Sequence, residues 1–293
     1  MTGRRKALEK TMLLILLAAC DATDKADDDT TIDTNETTDT TPVEVIEPPP
    51  YSGGTCPAME QGWNSGFVTG EYEREYRLEL PENPEGAPVI FLWHWLGGDA
   101  DQIIDWAGFD GFPDTKGVIL IAPETRGLQF EWDSFDGADT PDLLMFDDLL
   151  SCLSQQYSVD MTRIYASGMS AGGLWTVTLT NHRSQWLAAS APLSGGATEM
   201  DWAPDDAIPM LLTWGGPTDT YGSFSFNDSQ YDLIDQVESA GQFAVLCEHD
   251  DGHSLPPGGV EYVWDFFEAH PKGIDSEPWA DVLPDSLPEW CRY

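Results

Sequence analysis

The chain has 293 residues, of which 41% are hydrophobic and 12 are tryptophan, and it carries a formal net charge of −39. This length and apolar content suffice for one large α/β domain, or two small ones, with a buried core. Because so acidic a surface repels nucleic acid and anionic membranes, we expect neither to be a direct partner.

The N-terminal residues have the pattern of a targeting signal. A positively charged stretch at residues 4–6 precedes a short apolar run at residues 12–17, and small residues then lead to Cys20. The run is too short to span a bilayer, and the pattern resembles the processing site of bacterial lipoproteins. We therefore expect a signal peptide over residues 1–19 and a lipidated Cys20 that anchors the exported protein to the cell envelope. An ordinary secretory signal with an incidental cysteine is the alternative.

Residues 20–50 are rich in Asp and Thr, contain no aromatic side chain and end in three prolines. Such a segment buries too little apolar surface to fold, so we predict an acidic, disordered linker. One folded domain is predicted to occupy residues 51–293.

Four cysteines remain in the predicted domain: Cys56, Cys152, Cys247 and Cys291. An even number in an exported protein predicts two disulfides. Four cysteines allow three pairings. A Cys56–Cys291 bond would join the two ends of the domain and leave Cys152 to pair with Cys247, but the sequence does not choose between the pairings.

The predicted domain alternates strands with helices, which is typical of an α/β fold. Strands are predicted over residues 73–80, 88–93, 117–122, 164–166, 187–193, 209–214 and 243–247. Helices are predicted over residues 100–106, 143–157, from 174 onwards, 230–240 and 260–269. This order favours a mostly parallel, doubly wound sheet with helices on both faces and a site at the carboxyl ends of the strands. The connecting segments are too short for a large cap domain.

Residues 168–172 read Gly-Met-Ser-Ala-Gly, between a predicted strand and a predicted helix. In this context G-x-S-x-G is typical of a sharp turn that holds a serine in a strained conformation and admits only small neighbours. We therefore predict Ser170 as a nucleophile and the N–H group of Ala171, at the helix start, as an oxyanion donor. A Gly/Ser turn without chemistry is the alternative.

A serine nucleophile needs a base, and the base needs a carboxylate that orients it. In this fold the acid precedes the histidine in the chain. His253, in a loop after the last predicted strand, is the predicted base, and His249 is its rival. Asp219, in the loop after the strand at residues 209–214, is the predicted acid, with Asp228 and Asp232 as alternatives.

The loop after the strand at residues 88–93 reads His94-Trp95-Leu96 and continues with two glycines. Backbone N–H groups in such a loop can supply a second oxyanion donor, for which we favour Leu96 over Trp95. We interpret His94 as a residue that braces this loop.

These motifs together resemble the esterases grouped around secreted polyhydroxybutyrate depolymerases, which include feruloyl and acetylxylan esterases. The resemblance covers about residues 62–269 and rests on residues 74–81, the His94 loop, residues 163–173, Gly216-x-x-Asp219 and Gly252-His253-x-x-Pro256. It implies an α/β-hydrolase fold. We expect no cofactor, and no metal either, because the sequence has no Cys/His cluster with the spacing of metal ligands.

Three tryptophans are predicted to line the substrate groove. Trp132 lies in a segment similar to an aromatic motif that members of this family carry near the groove. Trp95 replaces a glycine of the family's His-Gly oxyanion loop, and Trp214 precedes the Gly-Gly that stands where the family has His-Gly before the acid. Both departures bear on the substrate more than on the mechanism.

The sequence thus predicts a lipid-anchored, exported, monomeric serine esterase. The resemblance implies that its substrates are carboxylic esters, small or polymeric, of the polyhydroxyalkanoate, feruloyl or acetyl-polysaccharide type, cleaved through an acyl-enzyme. A serine peptidase or a lipase is one alternative, although neither a large extra domain nor an apolar lid is visible in the sequence. A non-catalytic surface lipoprotein that binds a ligand on a hydrolase scaffold is another, and the presence of Ser170, Asp219 and His253 argues against it.

Overall fold

The structure is a computed structural model that describes residues 46–127, 131–198 and 201–293. The predicted signal peptide, Cys20 and most of the predicted linker lie outside these residues. Within the described ranges, no helix combines the length and the apolar character that a membrane crossing requires.

Strands and helices alternate along most of the described chain. The strands are β1 (Gly62–Thr69), β2 (Tyr72–Glu79), β3 (Val89–Trp93), β4 (Ile119–Pro123), β5 (Ile164–Met169), β6 (Ala189–Leu193), β7 (Met210–Trp214), β8 (Thr220–Tyr221), β9 (Phe224–Ser225), β10 (Ala244–Glu248) and β11 (Cys291–Arg292). The α-helices are α1 (Ala100–Asp105), α2 (Phe112–Lys116), α3 (Pro141–Tyr157), α4 (Ala171–Arg183), α5 (Phe226–Ser239) and α6 (Glu261–Ala269).

One large sheet organises the domain. Its nine strands lie in the order β1-β2-β4-β3-β5-β6-β7-β10-β11, and β8 and β9 form a separate hairpin. The six strands from β4 to β10 in this order are parallel, whereas β1, β2 and β11 are antiparallel strands at the two edges. The predicted mostly parallel, doubly wound sheet is therefore confirmed.

Helices cover both faces of the sheet because the side chains of a buried strand alternate between the two faces. On β3, Ile90 and Leu92 pack in a core that includes residues of α1, α2 and α6. Phe91 and Trp93 pack in the opposite core with residues of α3 and α4. Residues of α5 pack over β7 in a third cluster. The carboxyl ends of the parallel strands consequently meet at one edge of a sheet whose parallel strands are covered on both faces.

Several elements of the structure were not predicted from the sequence. Strand β1 buries few of its side chains, and β11, the β8–β9 hairpin and the five-residue helix α2 are too short to show a period. Helix α5 begins at Phe226, earlier than the predicted residue 230. The hydroxyl of Ser225 caps it by accepting a hydrogen bond from the Asp228 N–H group at 3.1 Å. A side-chain cap of this kind is a start signal that the sequence contains.

The disulfide pairing differs from the one considered from the sequence. Cys56 is bonded to Cys152 on α3, and Cys247 is bonded to Cys291. Hydrogen bonds hold residues 52–59 along α3, and β11 pairs with β10 so that Cys247 and Cys291 lie directly opposite each other. The Cys56–Cys291 and Cys152–Cys247 pairs that the sequence analysis considered are wrong. The segment around Cys56 packs on α3, whereas Cys291 lies on β11 beside β10. Two disulfides indicate an exported protein.

Candidate active site

Ser170 lies in a tight turn between β5 and α4, with φ 58° and ψ −116°. This left-handed φ is strained for a residue that has a Cβ atom. A Cβ atom on Gly172 would lie 1.9 Å from the Trp93 carbonyl oxygen, and one on Gly168 would lie 2.5 Å from the Gly172 carbonyl oxygen. Only glycine fits at these two positions, as the sequence motif predicted.

The imidazole of His253 bridges Ser170 and Asp219. Its Nε2 lies 2.8 Å from Ser170 Oγ, and its Nδ1 lies 2.6 Å from Asp219 Oδ1. The loops that carry the acid and the histidine touch through two glycines: the Gly252 N–H donates to the Gly215 carbonyl at 2.9 Å. A Cβ atom on Gly215 would lie 1.8 Å from the Gly252 carbonyl oxygen. The structure thus brings together the three residues predicted for catalysis.

Asp219 is fully buried and has several hydrogen-bond donors. Its Oδ2 accepts hydrogen bonds from the Ser194 hydroxyl and from the Gly215 N–H, each at 2.8 Å. Burial alone would raise the pKa of Asp219, but the hydrogen bonds from His253, Gly215 and Ser194 outweigh it and the pKa is lowered. The carboxylate is therefore ionised at neutral pH. Ser194 was not predicted as a site residue from the sequence. Its position directly after β6, the neighbour of β7, could have indicated that it lies near the acid loop.

Phe226 covers one face of the His253 ring, with the ring centroids 4.2 Å apart and the planes at 19°. The Phe226 N–H also donates to the Asp219 carbonyl at 2.9 Å, which ties this aromatic residue to the acid loop. The hairpin residue Tyr221 lies 6.1 Å from the His253 ring. These aromatic neighbours were missed because only the tertiary packing brings the start of α5 to His253.

The rival residues have other surroundings. His249 is buried, its Nδ1 accepts a hydrogen bond from the Asp251 N–H at 3.2 Å, and burial lowers its pKa. Asp228 and Asp232 are exposed on α5. Apart from a tyrosine, the ionisable residues among the described residues that line the Ser170 cleft are His253 and Asp136. His249, Asp228 and Asp232 therefore do not line this cleft.

The residues predicted to supply the oxyanion donors, Ala171 and Leu96, line the same cleft as Ser170. Ala171 is the first residue of α4, so its N–H group has no acceptor within the helix. The Trp95 carbonyl accepts the Gly98 N–H at 2.8 Å and lies 2.9 Å from His94 Nδ1. Because a trans peptide directs its N–H away from its carbonyl, the Leu96 N–H points away from these two contacts. His94 is buried and braces the loop, as predicted.

A cleft of about 920 Å³ opens over Ser170. Its lining is mostly apolar and includes five of the large exposed hydrophobic side chains of the described chain, namely Leu96, Trp106, Phe135, Tyr221 and Phe224. Two of the three tryptophans predicted for the groove, Trp95 and Trp132, also line this cleft. Within the described ranges, no group of His, Cys, Asp and Glu side chains is arranged to hold a metal ion.

Trp214 does not line the cleft, and its predicted place in the substrate groove is corrected. It is the last residue of β7, it is fully buried, and it packs in the cluster that includes residues of α5. Its indole N–H donates to Asn227 Oδ1 at 3.2 Å. The sequence placed Trp214 near the acid correctly, but the alternation along β7 turns its side chain into the core.

Comparison with known proteins points to esterases. No family model matches the chain. Feruloyl esterase C of Emericella nidulans is 27% identical over 253 residues, which cover 74% of this chain and 90% of the relative. A probable feruloyl esterase C of Aspergillus terreus is 26% identical over 179 residues, which cover 58% of this chain but only 60% of the relative. The solved structure of native sOPH superposes with a TM-score of 0.66 at 17% identity, over 81% of this chain and 96% of that chain, and shares the fold.

The lowered pKa of Asp219 leads to a prediction about stability. Because the folded-state pKa lies below the unfolded one, ionised Asp219 stabilises the fold above the unfolded pKa, and this contribution is lost as the pH falls through the folded pKa. We expect Asp219→Asn to lower the free energy of unfolding at pH 7 by about 1–3 kcal/mol. The difference from wild type should shrink below pH 3.8, the ordinary pKa of an aspartate. Urea unfolding followed by tryptophan fluorescence measures the free energy of unfolding of both proteins. A difference between wild type and Asp219→Asn that grows as the pH falls would contradict this prediction.

Proposed function

We propose that this chain, a carboxylic ester hydrolase of the feruloyl esterase and polyhydroxybutyrate depolymerase-like group of α/β-hydrolases, uses Ser170 as its nucleophile. His253 is the general base and Asp219 the carboxylate that orients it. The observation that carries the proposal is the position of the His253 imidazole, 2.8 Å from Ser170 Oγ and 2.6 Å from Asp219 Oδ1.

The mechanism follows from these contacts. His253 Nε2 accepts the proton of Ser170 as Oγ attacks the ester carbonyl, and Asp219 stabilises the resulting imidazolium. The oxyanion of the tetrahedral intermediate accepts hydrogen bonds from the N–H groups of Ala171 and Leu96, each of which contributes about 3 kcal/mol. The protonated His253 then gives its proton to the leaving alcohol. Water, deprotonated by the same base, attacks the acyl-enzyme and releases the acid.

The cleft favours uncharged substrates. Among the residues that the structure describes, the lining contains no lysine, arginine or glutamate side chain, and its one carboxylate belongs to Asp136. A negatively charged acyl group would meet apolar surface and a like charge, and none of these described residues could pair with it as a cation. The relatives named feruloyl esterases support an aromatic acyl group among the candidates. The proposed substrates are therefore neutral esters of the feruloyl, polyhydroxyalkanoate or acetyl-polysaccharide type.

The proposed location is the bacterial cell envelope. Two disulfides support export to an oxidising compartment. The signal-like N-terminus and Cys20 support a lipid anchor, which would be the protein's sole attachment to a membrane. On this proposal the enzyme acts as a monomer on an ester outside the cytoplasm and binds no nucleic acid.

Labelling with a fluorophosphonate probe separates the esterase from a non-catalytic binding protein. The probe reacts with a serine that an adjacent base activates. We expect stoichiometric labelling of the wild type and none of Ser170→Ala, read by intact mass. His253→Ala should label at least about 100-fold more slowly, because general-base assistance contributes 10²–10⁴-fold. An unlabelled wild type, or equal labelling of Ser170→Ala, contradicts the proposal.

A matched pair of substrates tests the preference for neutral esters. p-Nitrophenyl valerate and the p-nitrophenyl monoester of glutaric acid have acyl chains of equal length, but the second ends in a carboxylate. We expect kcat/KM to be at least about 10-fold lower for the anionic ester at low ionic strength, and the gap to narrow as salt screens the repulsion. A charge-independent kcat/KM, or a faster anionic ester, contradicts the assignment. p-Nitrophenyl butyrate, methyl ferulate, acetylated xylan and polyhydroxybutyrate then identify the class.

A further inference from the structure

Two adjacent residues hold the His94–Gly98 loop on both sides of its central peptide. The indole N–H of Trp132 donates to the His94 carbonyl at 2.9 Å. The Gly97 N–H donates to Glu131 Oε1, also at 2.9 Å. His94 and Gly97 flank the peptide bond between Trp95 and Leu96. The peptide that carries the second oxyanion donor is therefore fixed at both of its ends.

The same segment also contacts the helix that carries the first donor. The hydroxyl of Thr178 on α4 donates to the Ser134 carbonyl at 2.9 Å. The Trp132 ring stacks against Trp175 of α4, with centroids 6.4 Å apart and planes at 23°. Helix α4 begins at Ala171. Residues 131–134 consequently join the helix of one donor to the loop of the other.

This joining segment is itself firmly held. Glu131 has φ 66°, a left-handed conformation that costs a non-glycine residue about 1–3 kcal/mol and that surrounding contacts must maintain. Both carboxylate oxygens of Asp133 lie 2.6 Å from the Arg126 guanidinium, and the Asp133 N–H donates to Asp142 at 3.1 Å. Asp142 is buried and forms an ion pair with Arg74 at 2.8 Å. The segment is thus anchored to α3 and β2.

We propose that Glu131 and Trp132 are positioning residues that set the separation of the two oxyanion donors, Ala171 and Leu96. The inference rests on the proposed function, since it concerns how that site stabilises its transition state. Neither residue supplies the donors; both act through the loop at residues 94–98. Trp132 then serves the chemistry through its N–H group, whereas the sequence suggested that its ring binds substrate. The loop needs only an acceptor at residue 131, which the amide of glutamine also provides.

Steady-state kinetics with p-nitrophenyl butyrate test this assignment. We expect Glu131→Ala and Trp132→Phe to lower kcat by about 10–100-fold, less than the 10²–10³-fold loss of a whole donor, with KM within about twofold of wild type. Glu131→Gln should recover most of the activity that Glu131→Ala loses. Trp202→Phe is the matched control, since its indole N–H bonds to Gln242 Oε1 at 3.0 Å and Trp202 does not line the cleft. It should change kcat by less than about twofold.

Inhibition by a trifluoromethyl ketone distinguishes a loss of oxyanion binding from a general destabilisation of the fold. This inhibitor forms a hemiketal oxyanion with the serine, so its inhibition constant should rise in proportion to the fall in kcat/KM across the variants. Thermal midpoints should stay within a few degrees of wild type. A raised KM with unchanged kcat in Trp132→Phe, or a Glu131→Gln variant as impaired as Glu131→Ala, overturns the inference. If the wild type labels with fluorophosphonate but Glu131→Ala and Trp132→Phe leave kcat unchanged, the positioning role is overturned and the proposed function stands. If the wild type does not label, the proposed function is overturned together with the positioning role.

Discussion

The close approach of α4 to the carboxyl end of β3 is the constraint on which the rest of the site depends. The backbone at Gly172 touches the Trp93 carbonyl so closely that no Cβ atom fits there. This contact forces the chain through the turn at Ser170 in a left-handed conformation and leaves the Ser170 side chain at the cleft. It also puts the first N–H of α4 beside the loop that leaves β3. The proposed nucleophile and the two proposed oxyanion donors therefore lie around a single packing contact.

The polar groups at Ser170 are paired, and the surface around them is apolar. Asp219 is buried, but three groups compensate for its charge: the His253 ring, the Ser194 hydroxyl and the Gly215 N–H. The Phe226 ring stacks on His253. In such a setting hydrogen bonds to the ionised form outweigh the cost of burial, which is why the pKa of Asp219 is lowered. Among the described residues, the cleft lining is mostly apolar and contains no lysine or arginine, which supports the neutral esters proposed as substrates.

Most residues of the candidate site could be predicted from local sequence motifs and from the order of the loops along the chain. Ser170, Asp219 and His253 were predicted because a G-x-S-x-G turn and the order of loops in a parallel sheet fix which strand ends meet. What the sequence missed depends on contacts between distant segments. The hydroxyl of Ser194 reaches Asp219 across neighbouring strands, and the side chain of Trp214 turns into the core through the alternation of β7. The disulfides follow the packing of each chain end, which no spacing of cysteines reveals.

The proposed mechanism depends on cleavage of the ester through a covalent acyl group on Ser170. Rapid mixing with p-nitrophenyl butyrate, an acid quench within the first turnover, and peptide mass spectrometry measure this directly. We expect one butyryl group on the peptide that contains Ser170, formed with a burst of p-nitrophenol, and neither signal in Ser170→Ala. An acyl group on another residue, or p-nitrophenol released by Ser170→Ala at the wild-type rate, would contradict it.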